Sequence, residues 1–173
     1  MKFIVLKWSM YAALGGAATF LVTNLFFGFE IGEIVGYGGF LFFFIFIYLG
    51  IKEYRDKLKK GALSFAQGLK IGVLIIVLPS VLSGAIDLFY TTFIDPDFFD
   101  RWYQYEIGKA GSGLSAQEFE QLEKHLNTQL SMFSNPWLHF LVMTLFTFLG
   151  GFICTIIAAI FLQKKEKDSE PGL

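Results

Sequence analysis

The chain has 173 residues and a net charge of −1; residues of the apolar set make up 54%, with 22 Phe, and charged residues only 17%. A soluble globular chain carries about 25% charged residues, and the uncharged runs here are too long and crowded for one soluble domain. The single cysteine, Cys154, excludes an intramolecular disulfide and a cysteine metal cluster, and reads as a small buried side chain.

The first apolar run is Trp8 to Phe29, between Lys7 and Glu30. A helix of about 20 apolar residues crosses the hydrocarbon core. Met1 and Lys2 resemble the start of a secretory signal. The run ends in LFFGFE, however, where aromatics replace the small-x-small cleavage pattern, so it is expected to remain as span 1, about 8–29. Ala12, Ala13, Gly15, Gly16, Ala17, Ala18 and Thr19 make one side of its first half small. Ala12/Gly16 and Gly15/Thr19 are small-xxx-small spacings, which serve packing inside the chain or, as the rival reading, a homo-oligomer seam.

An acidic turn, Glu30 to Glu33, leads into span 2, about 34–51. Gly36, Gly38 and Gly39 precede the bulky FLFFFIFIYL, and Tyr37 and Tyr48 stand near the two ends as interfacial aromatics. Lys52 to Lys70 then holds six bases and two acids. A basic hairpin between apolar runs belongs on the cytoplasmic side, so 52–68 is expected to be a cytoplasmic loop, in which Lys52 to Lys60 continues the second helix into water and Gly61 breaks it. Glu53 and Lys57 are spaced as an i,i+4 pair. Lys57, Lys59 and Lys60 are candidates for contacts with lipid heads, although the positive-inside bias alone accounts for them.

Span 3 is expected at about 69–92. Pro79 near its middle removes an i to i−4 bond and predicts a kink. Ser80, Ser83 and Gly84 follow on a small, mildly polar side. Asp87 lies near the outer end of this span; it reads as a hydrated interfacial acid, a structural hydrogen-bonding group, or a substrate or proton site.

The outer segment, 95–136, opens with Asp95, Pro96, Asp97 and Asp100. These acids lack the glycine and glutamate of a calcium-binding hand, so no metal site is expected. Trp102, Tyr103 and Tyr105 read as an interface belt, and Gly108, Gly111 and Gly113 as a soft linker. Ser115-x-x-Glu118 is a capping box that should start an amphipathic helix reaching about Phe133. Phe119, Leu122, Leu126, Leu130 and Phe133 line one face, expected to lie on the membrane, cover the span ends or meet a partner. His125 falls on the polar face.

Asn135-Pro136-Trp137 opens span 4, about 137–162. His139 lies just inside its outer end. Asp87 is eight residues before Asp95 and His139 three after Pro136, so their depths differ by only about 5–8 Å. A buried acid needs a partner, and His139 is the nearest candidate by depth, which makes Asp87 and His139 a candidate interhelical polar pair. The charged stretch from Lys164 to Lys167 ends the span.

The whole is expected to be all-α: a polytopic membrane protein of one domain, 1–173, with four transmembrane helices and an extracytoplasmic amphipathic helix between spans 3 and 4. The inner segments collect 11 of 14 bases against five acids, +6; the outer ones hold three bases against ten acids, −7. Both termini are therefore placed in the cytoplasm.

The stretch GIKEYRDKLKKGALSFAQGLKIGVLI, followed by FIDPDF, carries a recognisable pattern. It runs Gly50-Ile51-Lys52-x-Tyr54-Arg55-Asp56, Gly61-x-x-Ser64-Phe65, Gly68-x-Lys70-x-Gly72, then Asp95-Pro96. This resembles the uncharacterised membrane family called domain of unknown function 4199. The resemblance implies a four-helix integral membrane protein of bacterial origin, common in Bacteroidetes, hence the inner membrane. It brings no activity and no catalytic residues.

No HExxH or GxSxG motif and no paired cysteines occur, so no enzyme, cofactor or catalytic residue is expected. The short tethered basic loop does not suggest nucleic acid. The expected role is a structural, scaffold or accessory subunit among membrane lipids, with a homo-oligomer or a membrane protein as candidate partner. The alternative is a small transporter or channel, which should show polar groups at mid-membrane.

Overall fold

The computed structural model describes residues 1–110 and 113–164, apart from the side chains of Glu33, Tyr37 and Phe40. The readings made for Tyr37 and Gly111, and the charges at Glu33 and from Lys165 onward, lie outside the described residues. Helices α1 (Lys2–Phe26), α2 (Phe29–Leu58) and α3 (Phe65–Phe89) come first. A π-helical segment, Tyr90–Ile94, continues from α3. Then follow α4 (Phe98–Ala110), α5 (Ala116–Phe133) and α6 (Pro136–Leu162). Among the described residues there is no strand, only one isolated bridge.

The apolar runs are shorter than the helices that carry them. Charged residues at a span's end still have helical propensity, so α1 begins at Lys2 and α2 continues through the basic residues to Leu58. Two compact units are present: Met1–Ser83 with the chain from Leu145, and Gly84–Thr144.

In the first unit, α1 and α2 form an antiparallel hairpin turning at Phe27 and Gly28. Part of the small side of α1 packs there. A Cβ on Gly15 would sit 3.0 Å from the Phe46 ring, and one on Gly16 would sit 3.4 Å from the Phe43 ring. These glycines serve packing inside the chain, the first of the two readings of their spacing. The core joins four helices: Ala12 of α1, Ile47 and Ile51 of α2, Ile71, Ile75 and Ile76 of α3, and Ala158 and Leu162 of α6. Gly72 faces the Thr155 side chain so closely that a Cβ would collide with it, and a Cβ on Gly68 would lie 3.3 Å from the Ala159 Cα. Such close backbone approach is how helices associate where lipid offers no hydrophobic drive.

Pro79 lies inside α3. Lacking an N–H, it leaves the carbonyl of Ile75, four residues earlier, without its helical donor. Ser9 of α1 supplies one: its hydroxyl donates to the Ile75 carbonyl at 2.9 Å. Ser9 is 2% exposed and Ile75 0%, so no water substitutes. In a membrane helix this kind of re-satisfaction is what makes an internal proline tolerable. Ser9→Ala should cost about 1–2 kcal/mol, because it strands a buried carbonyl. Pro79→Ala restores the helical donor, so the Ser9→Ala/Pro79→Ala double variant should be more stable than Ser9→Ala alone. Thermal unfolding in detergent reads the cycle; equal loss with and without Pro79 would refute the link.

One end of this unit is tied by polar contacts. Glu53 accepts hydrogen bonds from Lys7 Nζ, from Trp8 Nε1 at 2.7 Å and from Lys57 Nζ at 2.9 Å. Leu63, in the turn after α2, exchanges two backbone bonds with Lys164, at 2.9 and 2.8 Å. The start of α1, the turn between α2 and α3, and the end of α6 thus meet at one end of this unit. The tight turn itself rests on Lys60 (φ 49°) and Gly61 (φ 90°) in left-handed backbone.

The second unit contains α4, where the sequence predicts an aromatic belt at Trp102, Tyr103 and Tyr105 and a soft linker from Gly108. Asp97, Asp100, Arg101, Gln104 and Gly108 are exposed at 3 and 4 spacing, while Phe98, Phe99, Trp102 and Tyr103 are half-buried. That is an amphipathic helix, and Gly108 lies within it, costing about 1 kcal/mol against alanine. Arg101 grips both oxygens of Asp95 and fastens the entry to α4.

The capping box opens α5 as expected. The Glu118 N–H donates to Ser115 Oγ at 3.4 Å and the Ser115 N–H to the Glu118 carboxylate at 2.9 Å. The Ser115 hydroxyl and amide hold the Glu118 carboxyl below the usual carboxylate range. The cap's contribution is present at neutral pH and is lost as pH falls through that lowered value. The predicted apolar stripe faces inward: Leu126 is buried, Phe119, Leu122, Leu130 and Phe133 are half-buried, and His125 is exposed.

Candidate functional site

The second unit holds the buried ionisable residues. Asp87 sits in the last turn of α3 and His139 in the first turn of α6, 8% and 1% exposed. His139 Nε2 lies 2.5 Å from Asp87 Oδ2. One of the two groups donates and the other accepts. The backbone holds both in place. Thr91 Oγ1 donates to the Asp87 carbonyl at 2.9 Å, and the His139 N–H donates to the Asn135 carbonyl at 2.9 Å. Asn135 Oδ1 caps α6, accepting from the Trp137 and Leu138 N–H groups at 3.0 and 3.3 Å.

The imidazole is walled by rings from two further helices. Phe99 of α4 and Phe133 of α5 stack with centroids 4.7 Å apart, 8° from parallel. Each meets the His139 ring edge-on at 5.2 Å. The C-terminal end of the α5 stripe therefore covers the start of α6. The sequence reading missed this ring wall. Its signal was present: Phe133 ends the α5 stripe, and Phe99 lies on the half-buried face of α4.

Beside the pair, Gly84 lets α6 approach α3; a Cβ there would lie 2.8 Å from the Phe140 carbonyl oxygen. In the first unit, Thr147 donates to Ser83 Oγ at 3.1 Å, and the Ser80 and Thr155 hydroxyls donate to carbonyls of their own helices. Among the described residues no group of three His, Cys, Asp or Glu is placed to hold a metal ion.

The lysines named for lipid heads fall into two kinds. Lys57 is paired with Glu53, though its side chain stays 69% exposed. Lys59 and Lys60 have no carboxylate in ion-pair range among the described residues.

Four helices are long and apolar enough to cross a membrane: α1, α2, α3 with its π segment, and α6. Their outward faces carry large apolar side chains such as Leu14, Leu41, Phe146 and Ile153, all more than half exposed. Apolar surface of that extent calls for lipid. The fold defines a polytopic α-helical membrane protein. Residues 7–164 match the family model described as "Protein of unknown function (DUF4199)", and the chain belongs to that family. No curated protein and no solved structure matches it.

Proposed function

We propose that the protein is a non-catalytic structural, scaffold or accessory subunit of the bacterial inner membrane. Both termini and the 52–68 loop face the cytoplasm, and α4 and α5 lie outside. One observation carries the role. Three of the polar contacts within the spans join one helix to another: Ser9 to the Ile75 carbonyl, Thr147 to Ser83, Asp87 to His139. A solute path would need such groups turned toward a cavity. The orientation is supported by the charge split. It is also supported by the Lys7–Glu53 pair and the Leu63–Lys164 bridge, which tie the three basic segments to one end of the first unit.

The transport alternative draws on one observation, a buried acid paired with an imidazole near a span end, since ionisable groups within spans often relay protons. Two experiments test the reading. Reporter fusions at residue 60, residue 110 and the C-terminus should read cytoplasmic, periplasmic and cytoplasmic; a periplasmic signal at residue 60 would end the orientation. Crosslinking in native membranes should capture a stoichiometric membrane-protein complex. A chain that stays alone, and that carries a proton flux into dye-loaded vesicles which Asp87→Asn abolishes, would establish the transporter instead.

A further inference from the structure

We propose that the basic end of the first unit is a selective site for the headgroup of an anionic phospholipid, centred on Lys52, Arg55 and Lys164. It rests on the reading above that this end lies at the inner leaflet, and it goes beyond a general positive bias.

The cations are assembled from two distant chain segments. Lys52 and Arg55 stand on α2, three residues apart on one face. The two-way bridge to Leu63 brings Lys164, from the end of α6, to the same end. Lys52, Arg55 and Lys164 all act electrostatically on one carboxylate, Asp56, which is bonded to Arg55 at 2.7 Å. Three cations around one anion leave a surplus. The other acid of this rim, Glu53, is already engaged by Lys7 and Lys57. No carboxylate lies in ion-pair range of Lys52, Lys59, Lys60 or Lys164 among the described residues. A phosphodiester supplies the missing charge.

The backbone fixes these cations rather than leaving them on a loose loop. Lys52 and Arg55 lie within α2, and Lys164 is bonded through its backbone N–H and carbonyl to Leu63. A preorganised set of donors loses less entropy on binding than a mobile one.

The occupant is a lipid rather than a soluble anion because the surface just inside the rim is apolar. Phe161, one turn before Lys164, is 71% exposed, and Ile160 is 51% exposed. Cationic heads above exposed apolar side chains match a phosphate above acyl chains. Each base at a membrane surface contributes a factor of about 5 to anionic-lipid association.

The test uses the full chain reconstituted in vesicles with trace spin-labelled phosphatidylglycerol or phosphatidylcholine, measuring their relative association. The wild type should favour phosphatidylglycerol several-fold. Lys52→Gln/Arg55→Gln/Lys164→Gln should bring the ratio to about one, and the charge-keeping exchange Lys52→Arg/Arg55→Lys/Lys164→Arg should keep it. Lys109→Gln/Lys124→Gln should leave it unchanged. Equal association of the two lipids with the wild type overturns the site. So does a preference that survives the glutamine triple variant, or one that the Lys109/Lys124 variant removes equally. Inorganic phosphate binding to the detergent-purified protein as tightly as short-chain phosphatidylglycerol would show a soluble-anion site and overturn it too. A residue-60 reporter is read on each variant. A periplasmic reading with the lipid preference intact removes the orientation and supports the site.

Discussion

Gly84→Ala is expected to destabilise the protein by about 1–3 kcal/mol, and Gly84→Val by more, both read as lower thermal midpoints in detergent. The new Cβ would meet three atoms of α6: the Thr144 hydroxyl, the Phe140 carbonyl oxygen at 2.8 Å and the Thr144 amide nitrogen at 3.2 Å. Two of these belong to the backbone and move only if the helix moves. The Thr144 hydroxyl is different. It is buried with no hydrogen-bond partner among the described residues, so removing it forfeits little. Thr144→Ala alone should therefore be nearly neutral. Combined with Gly84→Ala it should recover only part of the loss, since the carbonyl remains. Full recovery would show that the backbone contact is soft; no loss in Gly84→Ala would show that α3 and α6 do not pack at this distance.

The positions of these glycines show what the sequence made legible and what it did not. Four spans and the basic loop could be read because charge and hydropathy are one-dimensional quantities. The capping box of α5 could be read for the same reason: Ser115 and Glu118 satisfy each other within one turn. By contrast, a glycine in a membrane helix predicts close approach without naming the partner. Gly15 and Gly16 take phenylalanine rings from α2, whereas Gly72 and Gly84 take threonines from α6.

The helix α4 was hidden by its own composition. Aromatics at Trp102, Tyr103 and Tyr105 look like an interface belt, and glycines like a linker. Only the 3 and 4 spacing of the exposed residues betrays the helix. Ser9 was hidden more deeply. Its role is defined by Pro79, 70 residues away in sequence, and by a carbonyl that neither residue carries. No local pattern encodes such a contact; it exists only once α1 lies against α3.

The Asp87–His139 contact carries the other large effect. His139→Ala should destabilise by about 3–5 kcal/mol, because it leaves a buried carboxyl facing a cavity where the ring had been. The ring's removal also strips Phe99 and Phe133 of the edge-on contacts at 5.2 Å that join α4 and α5 to α6. Asp87→Asn should cost less, about 1–2 kcal/mol, since an amide still offers the ring a hydrogen-bonding group. Asp87→Ala/His139→Ala should fall short of the sum of its single variants by about 1–3 kcal/mol. Strict additivity in that cycle would mean that the two side chains do not bear on each other. A second variant separates stability from function. Asp87→Val/His139→Phe replaces a buried polar pair by apolar groups, the shorter valine leaving room because carbon atoms cannot approach to the 2.5 Å at which the carboxyl meets the ring; such exchanges are often neutral or stabilising. Phenylalanine at 139 also keeps an aromatic ring against Phe99 and Phe133. This variant should therefore unfold within about 1 kcal/mol of the wild type. If it does, and the crosslinked complex is also retained, the pair serves assembly of the second unit alone. If it folds as well as the wild type but the complex is lost, the carboxyl and imidazole are needed for something beyond packing. Unfolding below both single variants would show that the hydrogen bond itself, rather than the filled space, sets how α3 and α6 meet at this site.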